Sequence, residues 1–245
     1  MKYSEVRNNY RGGTYFWCDS YAQLLSPLTT SILLKLKLIP NIVTLLMIIS
    51  GVIGGILFSF NNNLIKFVGI VFIHLWYVLD CSDGEIARIT KIFSKMGKEI
   101  DFTAHIVNHP IFLLSFAISL LSLDNTTNRE LILICLFLLS SLELINRNLL
   151  SFSEIYSLKV VKNSESVNDE NKAKQNRSKI KKFIIHIVTN ITILPNFVLL
   201  FPLIYMADVF LGTTLSLYYF FLKTIIMIVM VMYFTIAWIK KILFI

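Results

Sequence analysis

The feature that most constrains this chain is a succession of continuous apolar runs, several of them about 20 residues long. A bilayer admits only helices and closed barrels, because an unpaired backbone polar group in hydrocarbon is too costly. Continuous rather than alternating hydrophobicity selects helices. Charged residues make up 16% of the 245-residue chain, against about 25% in soluble domains, which points the same way. The expected fold class is all-α: a polytopic membrane protein with six transmembrane helices and an N-terminal amphipathic juxtamembrane helix.

The spans are expected as follows. Span 1 is Asn41–Phe60, opened by Pro40, where a missing donor costs nothing. Asn61-Asn62-Asn63 is a polar turn, and span 2 runs from Leu64 to Asp80, continuing as helix to Ile89. The basic loop Lys91–Lys98 leads to span 3, Glu99–Leu123, and the turn 124–128 leads to span 4, Glu130–Leu150. Residues 161–182 are polar and then basic, which predicts a solvated loop. Span 5 is Phe183–Met206, with kinks expected at Pro195 and Pro202. Span 6 begins between Leu215 and Thr224 and ends at Trp238–Lys241, with Lys223 either at the outer interface or deep. Residues 1–38 precede this 39–245 membrane domain. Tyr15, Phe16, Trp17, Tyr21, Leu24, Leu25 and Leu28 suggest one apolar face lying on the inner surface, with Trp17 and Tyr21 at headgroup level. The opening Met1-Lys2-Tyr3-Ser4-Glu5 lacks the basic-then-apolar layout of a signal peptide.

Charge sets the orientation. Of 23 Lys and Arg, twenty fall in the N-terminal segment, the span 2–3 loop, the region Arg147–Lys182 and the C-terminus, which six spans place on one side. Both termini and the loop 83–97 are therefore expected in the cytoplasm, in a multi-pass protein of the inner membrane. The basic run Lys172–Lys182 suits anionic headgroups. The net charge of +8 does not indicate nucleic acid, because aromatic interleaving is absent. Cys18, Cys81 and Cys135 have neither disulfide nor metal-ligand spacing.

Between the second and third spans the sequence reads Asp80-Cys81-Ser82-Asp83-Gly84-Glu85-Ile86-Ala87-Arg88, then eight residues to Gly97, then Asp101 and His105. Acids within a membrane helix cost about 2.5–3.5 kcal/mol each at the centre and less toward the rim, so three that converge need a partner. Asp80 and Asp83 share a helix face near the inner end of span 2, and Asp101 and His105 share one at the start of span 3. A short antiparallel connection lets the faces meet, and the donor set suits Mg²⁺ or Mn²⁺. Gly84 allows close approach of a ligand or a helix, and Arg88 presents a planar fork for phosphate. Carboxylates for metal and an arginine for phosphate suggest phosphoryl transfer at the membrane surface.

Asp80-x2-Asp83-Gly84-x2-Ala87-Arg88-x8-Gly97-x3-Asp101-x3-His105 resembles the signature of the CDP-alcohol phosphotransferase family, Asp-x2-Asp-Gly-x2-Ala-Arg-x8-Gly-x3-Asp-x3-Asp. Pro40-Asn41-x2-Thr44 is similar to the family's usual start of the first span. The resemblance implies a two-metal site ligated by Asp80, Asp83, Asp101 and His105. It implies that Gly84, Ala87 and Arg88 line the CMP part of a CDP-linked donor, that Asn41 and Thr44 complete the donor site, and that Gly97 permits close packing at the turn. An acceptor hydroxyl would attack the donor phosphorus and CMP would leave, in phospholipid or lipid-linked glycan biosynthesis. The donor is CDP-diacylglycerol or a soluble CDP-alcohol, the surroundings are membrane lipids, and the family implies a homodimer.

The departure from the signature is His105, where the family has aspartate as ligand and base. Imidazole fits either role, since neutral nitrogen binds metals and an ordinary pKa near about 6.5 suits a base; the alternative is a degenerate site holding one metal or none. His109, one turn on, reads as a hydrogen-bonded buried residue or as a partner behind the metal site. His74 points off the acid face, and His74 and His186 read as packing residues. Glu143 and Arg147 face the acceptor pocket, form a helix-to-helix ion pair, or leave Arg147 snorkelling to the interface. Two other classes remain: an inactive relative acting as a membrane scaffold, and a cation transporter, which would string ionisable residues across several depths.

Overall fold

The computed structural model describes residues 3–8, 16–123, 128–163 and 193–243, and all regular structure among them is helical. The elements are α1 (Tyr3–Arg7), α2 (Phe16–Lys35), α3 (Pro40–Ser59), α4 (Asn63–Thr90), α5 (Gly97–Leu123), α6 (Arg129–Asn163), α7 (Leu194–Leu211) and α8 (Leu215–Leu243). Five helices are long and apolar enough to cross a membrane: α3, α4, α5, α7 and the part of α8 up to Ile239. The expected span Glu130–Leu150 lies inside α6, a 35-residue helix that runs on to Asn163. His186, the Lys172–Lys182 run and the first part of the expected fifth span lie outside the described residues.

Local chemistry sets the helix ends. Pro40 occupies the first turn of α3, where no intrahelical donor is needed. Asn62 caps α4, its side chain accepting from the amides of Leu64 (2.9 Å) and Ile65 (3.2 Å). Lys91 ends α4 in a left-handed conformation, φ 59°. The expected kink at Pro195 is corrected: Pro195 lies in the first turn of α7, where its missing amide is harmless, and only Pro202 is internal. Gly212, at φ 66°, closes α7. Asp208 then accepts from the amides of Leu215 (3.0 Å) and Ser216 (2.6 Å) and from the Thr213 hydroxyl, satisfying the start of α8.

In hydrocarbon, helices gain nothing by hiding apolar surface from lipid, so close approach of small residues carries the packing. A Cβ on Gly69 would lie 2.7 Å from the Phe58 amide nitrogen, and one on Gly54 would lie 2.8 Å from that of Ile73, so α3 and α4 touch backbone to backbone. On another face of α3, Gly51 and Gly55 receive Asn108 and Ile111 of α5. Helix α7 closes the bundle against α4 and α5 through an aromatic cluster in which Phe116 stacks on Phe201 at 4.3 Å. Helix α8 packs on α6 and α7.

Buried cations inside the bundle are satisfied. Lys66 Nζ donates to the Phe58 carbonyl (2.9 Å) and to Ser119 Oγ (2.7 Å), and lies over the rings of Phe58 (5.0 Å) and Tyr205 (4.7 Å). It thus sits at the negative end of the α3 dipole. Lys223 is buried between helices, its Nζ 5.8 Å from the Phe197 ring centroid.

The N-terminal helix turns its leucines away from the bundle, as a face meant for the membrane would, and docks through the opposite face. Helix α2 packs on α4 and α7 through Cys18, Ala22, Ser26, Thr30 and Leu33, while Leu24, Leu25 and Leu28 are exposed. Small and polar residues make the docked face, and the leucines face outward. Tyr21 packs on the bundle, its ring 5.5 Å from His74 and 6.2 Å from Tyr77 on α4. Fully buried Glu85 of α4 accepts from Ser26 Oγ at 2.5 Å, which holds α2 in place.

Candidate active site

The last third of α4 and the first two turns of α5 face each other across the six-residue connection 91–96. His105 Nε2 lies 3.5 Å from Asp80 Oδ1 and 3.5 Å from Asp101 Oδ1. Single donor atoms from Asp80, Asp101 and His105 all fall within 4.8 Å of one another. Exposure decides how the cluster is reached: the Asp101 side chain is 49% exposed, Asp80 23% and His105 14%, so it opens on the Asp101 side. Two carboxylate oxygens and one imidazole nitrogen fit a hard or borderline divalent cation.

Asp83 stands beside this cluster and not within it. Its Oδ2 accepts from Thr44 Oγ1 at 2.7 Å, which joins the first turns of α3 to the acidic face of α4. Asp83 still lies in the electrostatic field of Asp80 and Asp101. Asn41 is half-buried in the first turn of α3, and Ala87 is half-buried one turn beyond Asp83. Arg88 folds back along α4, its Nη1 3.0 Å from where a Cβ on Gly84 would sit, so glycine leaves room for the guanidinium beside Asp83. The expectation for Gly97 is corrected: a Cβ there would meet only Ser94 Cβ at 3.6 Å, an ordinary contact, so packing within the chain does not require glycine.

Behind the cluster lies a polar chain that the motif alone does not reveal. His105 Nδ1 is 3.2 Å from His109 Nε2, and His109 Nδ1 is 3.3 Å from Glu143 Oε1 on α6. Glu143 accepts from Arg147 Nε at 3.2 Å, so their ion pair lies within α6 and not between helices. Arg147 Nη2 also approaches His109, 3.0 Å from Nδ1 and 3.3 Å from Nε2. Trp76, one turn before Asp80, walls both imidazoles, its ring centroid 5.8 Å from each. The indole donates to the Asn108 carbonyl oxygen (3.0 Å), and the Asn108 amide donates to the Ile48 carbonyl (3.1 Å), in the amide orientation that satisfies both. A shallow cleft between α5 and α6 runs beside His105, lined by Ile106, Pro110, Leu144 and Arg147. His74 packs against Tyr21 and the backbone of Leu199, away from the acids.

Residues 37–245 match the sequence profile of one family, CDP-alcohol phosphatidyltransferase. The chain belongs to the CDP-alcohol phosphatidyltransferase family. No curated protein matches it individually. Membership makes this a membrane phosphotransferase acting on phosphate-alcohol groups, and divalent metals are the family's cofactors. Among the described residues, Asp80, Asp101 and His105 form the cluster that could hold such a cation. His105 occupies the last aspartate position of the family signature, and it faces both acids as a ligand there would.

Sequence reasoning left out Trp76, Asn108 and Gly51, and gave His109 only as one of two readings. A signal existed for Trp76, which lies four residues before Asp80 on the same helix face. None existed for the meeting of His109 with Glu143, 34 residues away on another helix.

Proposed function

We propose that this protein transfers a phospho-alcohol group from a CDP-linked donor to an acceptor hydroxyl and releases CMP. The observation that carries the reading is the convergence of Asp80, Asp101 and His105 in a chain whose family performs such transfers. In the proposed step the acceptor oxygen forms a bond to the donor phosphorus that carries the alcohol. The bond from that phosphorus to the CMP oxygen breaks, the acceptor proton passes to His105 or Asp101, and CMP leaves as the anion. Bound divalent cations, two in this reading, supply charge stabilisation for the diphosphate. Asp80, Asp83, Asp101 and His105 hold them, with Asp83 kept in place by Thr44. Gly84, Ala87 and Arg88 receive the cytidine phosphate, with Asn41, Thr44 and Gly97 at the edge of the same site.

The six-span arrangement, with α6 as the fourth span, both termini in the cytoplasm and the site facing it, belongs to this reading. The loop charges support it. A homodimer, which the family implies, is part of the same reading. The product is a phospholipid if the donor is CDP-diacylglycerol, or a lipid-linked glycan intermediate if the donor is a soluble CDP-alcohol.

The purified protein, given a panel of CDP-linked donors and membrane lipids with Mg²⁺ or Mn²⁺, is expected to release CMP and yield a product identifiable by mass spectrometry. Asp80→Asn and Asp101→Asn should each lower CMP release by at least about 100-fold, at or beyond the upper end of losses for groups behind a metal. Binding of cytidine nucleotides and cations without turnover on any donor would instead mark an inactive scaffold.

A further inference from the structure

The His105–His109–Glu143 chain has two possible hydrogen registers, and they place opposite ends of His105 at the acidic cluster. In the first, His109 Nδ1–H donates to Glu143 Oε1, and His105 Nδ1–H donates to His109 Nε2. His105 Nε2 then carries a lone pair toward Asp80 and Asp101. That arrangement is repulsive unless a cation stands between them. In the second, Arg147 Nη2 donates to His109 Nδ1, His109 Nε2–H donates to His105 Nδ1, and His105 Nε2–H points at the carboxylates. Passing between the registers moves the proton of each ring from one nitrogen to the other without change of net charge.

We propose that His109, held by Glu143, is a positioning residue for His105, selecting the first register when a divalent cation occupies the Asp80–Asp101–His105 cluster. This rests on the cation site of the proposed function. Three features favour it. His109 is 1% exposed, so water does not compete for its nitrogens. Trp76 blocks rotation of both rings and is itself fixed by Asn108. Arg147 Nε, paired with Glu143, keeps that carboxylate anionic and therefore an acceptor; Lys223 of α8, within electrostatic reach of Glu143, acts in the same sense. A ligating imidazole whose second nitrogen is held by an anchored acceptor is fixed in tautomer and orientation, and losing such an anchor typically weakens metal binding about 10–100-fold.

The test is nitrogen NMR of the full-length protein labelled at its four histidines, with His105 signals assigned from their loss in His105→Gln. With saturating Mg²⁺ the wild type is expected to carry its His105 proton on Nδ1 and none on Nε2. His109→Leu should abolish that preference and weaken Mg²⁺ binding about 10–100-fold. Glu143→Gln, which keeps an acceptor oxygen, should preserve both better than Glu143→Leu. A Mg²⁺-loaded wild type with the His105 proton on Nε2 overturns the inference without any variant having to fold. So does a folded His109→Leu protein with unchanged tautomer and affinity. Absence of Mg²⁺ binding overturns both the inference and the proposed function. The expected tautomer without CMP release rejects the reaction alone; CMP release with an unaltered His105 in His109→Leu rejects the inference alone.

Discussion

Thr44 shows how a single hydroxyl positions a charged group. It has one proton, and the 2.7 Å separation from Asp83 Oδ2 takes it in preference to the Pro40 carbonyl at 3.2 Å. A hydrogen bond to a charged group is worth about 1.5–3 kcal/mol, roughly a tenfold to hundredfold change in rate if lost only in the transition state. Thr44→Val should therefore lower CMP release by at least about tenfold with little change in melting temperature, while Thr44→Ser stays near wild type. Equal rates for the two variants would show that Asp83 holds its place unaided. The acids, Gly84 and Arg88 were legible in the sequence because two helices joined by a short loop set their spacing. Trp76 left a signal, four residues before Asp80 on the same helix face, but Asn108 and the meeting of His109 with Glu143 left none, because Ile48, Gly51 and Glu143 come from other parts of the chain and only the packed bundle brings them near.

At the scale of elements, glycine sorts into positions that need it for packing and one that does not. A Cβ on Gly69 would meet the backbone of Phe58 at 2.7 Å, and backbone cannot step aside. Gly69→Ala is expected to push α4 off α3 at a cost of about 1–3 kcal/mol, read as a lower melting temperature. Gly97→Ala, with 3.6 Å to Ser94 Cβ, should melt like the wild type. If its CMP release nonetheless falls, the glycine serves the bound donor. Helix boundaries around the site were well marked in the sequence by Pro40, Asn62 and the basic loop. The extent of α6 was not, because the continuous apolar run that marks a span stops near Leu150 while the helix runs on. The leucine face of α2 was legible as a membrane-facing surface; its docked face was not, because small and polar residues carry no hydrophobic period. In a bilayer, leucine is equally at home against lipid, and small residues mark the contact.

At the scale of the whole molecule, the direction in which the bundle crosses the membrane is written in loop charge, since helix packing is the same either way round. Single cysteines placed at Ser94, in the α4–α5 connection, and at Asn61, in the α3–α4 turn, should react with a membrane-impermeant thiol reagent from opposite sides of sealed vesicles. Ser94→Cys is expected to label only from the cytoplasmic side. Two native cysteines, Cys18 and Cys135, are buried, and Cys81 is half-buried, which keeps the background low. Labelling of Ser94→Cys only from the opposite side would overturn the orientation and move the site to the other compartment, and labelling of both positions from one side would remove α4 as a span.

The docking of α2 over Glu85 has a consequence for where this protein can be trimmed. The family profile begins at residue 37, just past the helix whose Ser26 donates to one oxygen of that carboxylate. A version cut to the profile alone would keep every residue of the signature and yet uncover an acid in the greasy flank of α4. The N-terminal helix is a plug for an electrostatic hole, and the enzyme begins there.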